Sequence, residues 1–393
     1  MKDVFVLSAV RTPIGKYGGG LASVPPCDLA AKVVREAVSR SGVDPSQVGH
    51  AVFGNVIHTE TRDMYLSRVA AINGGLEVGT PALTVNRLCG SGLQAIISAS
   101  QSIMLGDCEV AVAGGAESMS RAPYWLTGMR WGQRMGDGVA IDAMTGALCD
   151  PWDGCHMGVT AENVATDFHV SRADQDALAA ESHRRAAAAA AAGYFKEQIL
   201  PIEIPGRKGQ TTIVDTDEHV RPEVRVEDLA KLRPAFAKDG TVTAGNASGV
   251  NDAAAAVVLA SESFVRSSGR TPMGKLIGYA HAGVEPRIMG MGPVPAVRTV
   301  LDRTGLKIDE IDVFEVNEAF AAQALAVVRE LGLPPDRTNP NGSGISLGHP
   351  VAATGAILTV KALYELKRTH GRYALVTLCI GGGQGIAAIW ERA

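Results

Sequence analysis

Apolar and polar positions along the chain follow two periods that take turns. Short apolar runs, Val4 to Val10, Val48 to Phe53 and Leu83 to Val85, read as β-strands. Between them the pattern predicts helices over about Asp28 to Ser41 and Gly92 to Leu105, the second with apolar residues at 93, 96, 97, 103 and 104. Strand and helix in alternation are the pattern of an α/β fold. The far end of the chain repeats the pattern in related words. Arg40-Ser41-Gly42-Val43, followed by Ala51-Val52-Phe53-Gly54-Asn55, resembles Arg303-Thr304-Gly305-Leu306, followed by Val313-Phe314-Glu315-Val316-Asn317. Each continues with a glycine-rich turn, a helix and a strand that runs into another glycine-rich turn. Two similar α/β halves facing each other account for this duplication.

Between the halves, from about residue 120 to 248, the composition changes. A helix is expected from Ser171, which opens a Ser-x-x-Asp cap with Asp174, to Ala192, and Gly193 closes it. Much of the rest is irregular. The block reads as an inserted loop domain that carries a binding surface, so the chain divides into an N-terminal unit over 1–268, insertion included, and a C-terminal unit over 269–393. The insertion holds Arg207, Lys208, Arg221, Arg225, Lys231 and Arg233, interleaved with Asp and Glu. By themselves these charges describe a solvated face.

Composition narrows the function. Of the 393 residues 46% are hydrophobic, yet no run approaches the roughly 18 apolar residues of a membrane span. Met1-Lys2-Asp3 leads straight into a strand without the regions of a signal peptide, and Trp390-Glu391-Arg392-Ala393 carries no targeting tripeptide. A cytoplasmic protein with no membrane partner is expected. A net charge of −4 gives no general attraction to nucleic acid; a phosphate-bearing ligand must find local positive charge. The six cysteines show no CxxC pairs and read as free thiols of a reducing compartment, and the nine histidines lack ligand spacing, so no metal site is expected.

Four segments carry candidate chemistry. Asn86-Arg87-Leu88-Cys89-Gly90-Ser91-Gly92 places Cys89 between a strand and the start of a helix, where backbone N–H groups and the helix dipole favour a thiolate and small glycines admit a substrate. It has the form of a nucleophile elbow. Asn341-Gly342-Ser343-Gly344-Ile345-Ser346-Leu347-Gly348-His349-Pro350 sets His349 in a glycine-rich loop ahead of a helix from about Ala353 to Lys367, a suitable place for a base. Cys379-Ile380-Gly381-Gly382-Gly383-Gln384-Gly385 lies between two strands, Ala374 to Leu378 and Ile386 to Trp390. A dinucleotide loop needs a following helix, so this reads as a hairpin turn exposing a thiol and backbone N–H groups. Val316-Asn317-Glu318-Ala319-Phe320-Ala321 sits at a strand-to-helix junction, where Asn317 either caps the helix or polarises a carbonyl.

Together NRLCGSGLQA, NEAFA, GISLGHP and CIGGGQG stand in the order and at the positions of the thiolase family, and the resemblance runs from Arg11-Thr12-Pro13 to the last strand. It includes His156-Met157-Gly158 and Val242 to Gly249, with Asn251-Asp252-Ala253 after it. The wording is closest to bacterial β-ketothiolases of the acetoacetyl-CoA-forming type with a broad short-chain range. The resemblance implies an α/β, five-layer αβαβα thiolase fold built from two similar mixed-sheet halves plus the inserted loop domain. It also implies a homotetramer, with Tyr124 to Met144 as the tetramerisation loop. It implies that Cys89 takes the acyl group, His349 removes its proton, and Cys379 exchanges a proton with the second substrate. A water on Asn317 together with His349 would hold the enolate, and the amides of Cys89 and Gly381 the tetrahedral oxyanion. Acyl-CoA is the implied substrate and partner, with no prosthetic group: Leu148, His156, Met157, Ala244, Ser248 and Phe320 line the pantetheine, Arg221 and Phe236 lie near the nucleotide, and Met289 and Met291 border the acyl pocket.

One stretch departs from the pattern. After His349-Pro350 the family usually reads Leu or Ile, then Gly, where this chain has Val351-Ala352. If that glycine has a positive φ, alanine costs about 1 kcal/mol and moves His349. Two rivals remain: a degradative thiolase cleaving longer 3-ketoacyl-CoA, which Gly90 argues against mildly, and a non-catalytic lipid-binding homologue, expected to lack one of the four motifs.

Overall fold

The computed structural model describes residues 2–206 and 209–393; Arg207 and Lys208 of the basic group lie outside the described residues. The N-terminal half contributes strands β1 (Val4–Arg11), β2 (His50–Gly54), β3 (Ala82–Val85), β4 (Val110–Ser118) and β5 (Asn251–Ser261). The C-terminal half contributes β6 (Gly274–Gly283), β7 (Val313–Val316), β8 (Tyr373–Ile380) and β9 (Gln384–Arg392). In the first half β2 runs parallel to β4, which is antiparallel to β5, which is antiparallel to β1. In the second, β7 runs parallel to β8, which is antiparallel to β9, which is antiparallel to β6. The duplication therefore extends to strand order and direction.

The local words repeat with it. Helix α1 (Pro26–Ser41) ends on Gly42 at φ 65°, and the corresponding C-terminal helix, Pro293–Thr304, ends on Gly305 at φ 73°. Both glycines occupy the left-handed conformation that caps a helix without a Cβ clash. The two halves are not independent sheets facing each other. Phe5 pairs with Lys275 and Val6 with Gly274, so β1 and β6 join the halves edge to edge into one ten-stranded sheet, counting the short strand Gly15–Lys16 on β5.

Alternation along the strands sorts side chains into layers. On β5, Ala253, Ala255, Val257 and Leu259 enter a central core, while Ala254, Ala256, Val258 and Ala260 enter an outer one with α1 and α2 (Leu66–Asn73). On β9, Ile386, Ala388 and Trp390 enter the same central core, while Ala387 and Ile389 enter a second outer core with Pro293–Thr304 and Ala321–Leu331. Helices α3 (Ser91–Leu105) and Thr354–Thr369 fill the middle layer. The sequence of layers is αβαβα.

A helix between two layers of sheet has no free face. Thr354 to Leu363 are accordingly all buried. The buried Lys361 donates to Glu315 Oε2 on β7 at 2.7 Å and to the Gly342 carbonyl at 2.6 Å, pinning the loop that leads to His349. The stretch Leu88–Leu105 is long and apolar enough to cross a membrane by composition, which the sequence reading did not recognise. It is the central helix, with Leu93, Ile96, Ile97 and Ile103 wholly buried.

The insertion is anchored to both halves. Arg11 on β1 is buried, makes a bidentate pair with Asp217 at 2.7 and 3.0 Å and lies over the Phe195 ring. Losing one partner of such a pair costs about 3–5 kcal/mol. Ser171 caps the helix Arg172–Ala191 by accepting from the Asp174 amide, and Ser182 of that helix donates to Glu318 at 2.6 Å.

Candidate active site

The two middle helices cross where glycines stand opposite backbone. A Cβ on Gly92 would come within 2.8 Å of the Ala352 carbonyl, and one on Gly355 within 2.5 Å of the Leu93 nitrogen. The small residues let the helix starts meet, so the Cys89 and His349 loops, 260 positions apart, share one site.

Cys89 sits in a tight turn, Leu88–Gly90, directly ahead of Ser91–Leu105. Leu88 has a φ of 45°, a conformation costly for a residue with a Cβ. The turn is held on both sides: Asn86 Oδ1 accepts from the Leu88 amide at 2.9 Å, and Ser91 Oγ accepts from the Arg87 amide at 2.8 Å while donating to the Leu88 carbonyl. The elbow expected from the sequence is present, with Leu88 strained within it. Burial works against the thiolate that the helix start favours. Cys89 is partly exposed at the mouth of the site, but burial behind it pushes the thiol up to about 11. The Gly381 and Cys89 amides face the sulfur and act against that rise without overcoming it.

His349 is buried and held at its amide and at both ring nitrogens. Its amide donates to Asn251 Oδ1 at 2.9 Å, and Asn251 Nδ2 donates to the Gly15 carbonyl. The Thr354 hydroxyl has one hydrogen and gives it to the Pro350 carbonyl at 2.9 Å. At its 2.7 Å contact with His349 Nδ1 the imidazole must therefore be the donor, which leaves the Nε2 lone pair facing Asn317 Nδ2 at 3.4 Å. Burial lowers the imidazole to about 4, so it is unprotonated at neutral pH. Asn317 does not cap a helix: Phe320 occupies the cap of Ala321–Leu331, and Asn317 Oδ1 is buried with no protein hydrogen-bond partner.

The hairpin between β8 and β9 turns through Gly382 and Gly383, at φ 81° and 84°. It sets Cys379 at the end of β8, fully buried, its thiol pushed far above the ordinary range by burial and then by Cys89. A Cβ on Gly381 would lie 3.3 Å from Leu88 and 3.6 Å from the Met157 sulfur, so the turn rests on the Cys89 elbow.

Two apolar clusters divide the site. Cys379 packs with Met157, Met289, Ala319 and Phe320, against which Phe236 lies; His156 stacks on Phe236 at 4.7 Å and Phe236 meets Phe320 edge-on at 6.2 Å. Cys89 packs with Ile57, Met119 and Val351, beside Met144, Leu148 and Val250. Met144 and Val250 also line a cavity of about 620 Å³ with Lys16, Glu218, His219 and Arg221. The Arg221 amide donates to His183 Nδ1, and among the described residues its guanidinium makes no ion pair, whereas Arg225 and Lys231 are spent on Asp228. Ser248 docks on the Ala319 carbonyl at 2.9 Å, and Ala244 is exposed nearby. Met291 does not join the others. It lies in the outer core with Val294 and Phe314, because the turn Pro286–Met291 sends successive side chains to different sides.

Ala352 is fully buried, and its φ is not positive. The strain feared for alanine at this position does not arise. Sequence reasoning gave no role to Asn251, Thr354 or Ser91; each is a polar residue two to five positions from a motif or inside it, but its partner is visible only in three dimensions.

An αβαβα frame presenting two thiols and a neutral histidine to one apolar site defines an enzyme class that works on acyl carbonyls. The family profile described as "Thiolase, N-terminal domain" matches residues 4–263, and "Thiolase, C-terminal domain" matches 270–392. The chain belongs to the thiolase family. It is 62% identical over 392 residues to "Beta-ketothiolase BktB" of Cupriavidus necator, covering 100% of this chain and 99% of that protein. It is 48% identical to an "Acetyl-CoA acetyltransferase" of Pseudomonas aeruginosa over the whole of both chains. The solved Bacillus anthracis acetyl-CoA acetyltransferase superimposes with a TM-score of 0.98 at 45% identity, over 100% of this chain and 99% of that one. Human mitochondrial 3-ketoacyl-CoA thiolase in complex with CoA gives 0.96 at 44%, over 100% and 98%.

Proposed function

We propose that this chain is a β-ketothiolase, an acetyl-CoA C-acetyltransferase that joins two short acyl-CoA molecules into a 3-ketoacyl-CoA and free CoA, and reverses the reaction. The observation that carries the reading is the meeting of Cys89 and Cys379, from opposite halves, on one site with an unprotonated His349 Nε2.

The chemistry follows from the state of each group. Cys89 rests as a thiol, so it becomes a nucleophile only as His349 takes its proton. The thiolate attacks the thioester carbonyl, and the Cys89 and Gly381 amides hold the oxyanion. Coenzyme A leaves as a thiol with the proton of Cys379, so Cys379 becomes a thiolate, His349 keeps the Cys89 proton on Nε2, and the acyl group stays on Cys89. A second acyl-CoA gives its α-proton to the Cys379 thiolate; the enolate oxygen is held by the Nε2–H of His349 and by a water on Asn317, and the α-carbon bonds to the acyl-cysteine carbonyl. Breaking the C–S bond frees Cys89, which takes its proton back from His349. No metal or prosthetic group enters any step of this scheme.

Leu148, His156, Met157, Ala244, Ser248 and Phe320 hold the pantetheine arm, with Phe236 behind them and Arg221 toward the phosphates. Met144, which packs in one cluster with Cys89 and Leu148, lines one cavity with Arg221, and this supports the reading. Met289, beside Cys379, borders the acyl chain, and Met291 acts at one remove. A homotetramer is supported by the hairpin Tyr124–Leu126 with Ala140–Asp142, whose Trp131 and Met135 are 81% and 94% exposed; so much apolar surface on a projecting loop needs a cover. Six unpaired cysteines support a cytoplasmic site of action.

The test is loss of acetoacetyl-CoA on addition of coenzyme A, followed for wild type and Cys89→Ser. Activity confined to the wild type is expected; a wild type inert with every short 3-ketoacyl-CoA ends the proposal. Comparing C4 with C6 and longer substrates separates it from the degradative reading.

A further inference from the structure

A second buried acid stands next to the site and takes no part in the scheme above. Gly54 on β2 pairs with Gly115 on β4, and Val316 on β7 pairs with Thr377 on β8. One residue on from the first strand in each pair stands an asparagine, Asn55 or Asn317. Two residues on from the second stands Glu117 or Cys379. Glu117 is thus the N-terminal counterpart of the catalytic Cys379, and Asn55 the counterpart of Asn317.

Glu117 is fully buried, and among the described residues it makes no ion pair. Its Oε1 accepts from the Ile57 amide at 3.1 Å and from Asn55 Nδ2 at 3.2 Å, and its Oε2 accepts from the Ala352 amide at 3.0 Å. Each of these partners is a donor. Ile57 belongs to the N-terminal half and Ala352 to the loop three residues after His349. Ile57 and Val351, the neighbour of Ala352, are two of the four buried residues in the cluster against which Cys89 packs. One carboxyl group therefore spans two walls of the nucleophile's pocket and ties the histidine loop to the opposite half.

We propose that Glu117 is a positioning residue for acyl transfer, a buried carboxyl group that sets the distance between the Cys89 pocket and the His349 loop through the Ile57 and Ala352 amides. The inference rests on the thiolase reading. Asp63 and Cys89 are the titratable groups whose charges bear on this corner, and His349 closes it from the C-terminal side. Burial raises the Glu117 carboxyl to about 8 while the amides oppose the rise, and its negative charge is one of the influences raising Cys89. The carboxyl group thus organises the pocket, and above about pH 8, where it is ionised, its charge opposes thiolate formation on Cys89.

Glu117→Gln keeps the shape but turns one oxygen into an NH₂ that must face an amide donor. Thiolysis of acetoacetyl-CoA and alkylation of Cys89 by iodoacetamide are followed across pH for the full-length variant and wild type. A misplaced loop should lower kcat about 10- to 100-fold, with the KM for coenzyme A within about twofold. The alkylation midpoint should move to lower pH, because a negative charge beside the thiol has gone. Wild-type kcat, or a loss of kcat with an unmoved midpoint, overturns the inference. Glu117→Asp keeps the charge and shortens the arm. If Glu117→Gln does not fold, a fall of about fivefold or more in kcat with an unmoved midpoint is expected of Glu117→Asp, and wild-type kcat overturns the inference. A wild type inert toward acetoacetyl-CoA removes the thiolase reading instead, and the alkylation profiles then decide on Glu117.

Discussion

At matching positions of the two sheets the N-terminal half carries Asn55 and Glu117, and the C-terminal half carries Asn317 and Cys379. Both pairs are buried. Their surroundings set them apart. Asn55 Nδ2 donates to the Ala116 carbonyl and to Glu117, and Glu117 is surrounded by amide donors, so this corner is fixed, although Asn55 Oδ1 has no protein partner. Asn317 Oδ1 also has no protein partner, but its Nδ2 makes only one long contact, to His349, and Cys379 touches apolar side chains. One copy of a duplicated frame spends its amide nitrogen and its acid on holding the site. The other leaves its amide nitrogen and its thiol free for a substrate. Buried polar groups without partners are costly; both asparagines bear that cost at Oδ1, and only Asn317 has a poorly bonded Nδ2 as well.

The comparison is broken most severely at the nucleophile, which only one half supplies. Cys89→Ser should lower thiolysis by about 10³-fold or more, since an alcohol is a far weaker nucleophile in the same elbow; steady-state rates on acetoacetyl-CoA measure it, and a loss under tenfold would move the covalent step elsewhere. The asparagines come next and separate the halves directly. Asn317→Ala should cost about 10²-fold in kcat with little change in thermal midpoint, the size expected for one lost donor to a developing oxyanion. Asn55→Ala should do the reverse, lowering stability by about 1–3 kcal/mol by leaving Glu117 short of a donor, with a smaller effect on kcat. Equal kinetic effects would erase the distinction drawn between the halves.

A smaller effect lies in the pH dependence. His349 is lowered to about 4 and Cys89 raised to about 11. A raised thiol stays protonated until the pH approaches its folded value, so alkylation of Cys89 by iodoacetamide should keep rising from pH 6 toward 10 without levelling off. A plateau below pH 8 would mean that the amides, and not burial, decide the charge. Smallest is Ala352→Gly. With no positive φ at this position, glycine relieves nothing; it should leave turnover within about threefold and destabilise by about 0.4–1 kcal/mol through the unfolded chain. A rise in turnover above tenfold would show that alanine does displace His349.

Much of this was legible in the sequence, for identifiable reasons. Strands and helices announced themselves by period, and the glycine caps at Gly42 and Gly305 marked the duplication. Gly381 to Gly385 read as a hairpin because strand residues follow them. Other features carried no local signature. The β1–β6 join consists of backbone pairing, which any side chains permit. The direction of the Cys89 shift is a sum over walls from both halves: the helix start argues for a thiolate, and burial, supplied by residues far away in the chain, wins. Met291 is spaced from Met289 as a pocket partner would be on a strand, but the segment is a tight turn. Glu117 and Ala352 are 235 positions apart, and nothing in either segment points to the other.

The division of labour between the two thiols is tested most directly by Cys379→Ser mixed with acetyl-CoA and mapped by peptide mass, with wild type alongside. One acetyl group should accumulate on Cys89, with free coenzyme A released in equal amount and no acetoacetyl-CoA formed. An unacetylated Cys89 in the variant, or an acetyl group on Cys379 in the wild type, would contradict the account.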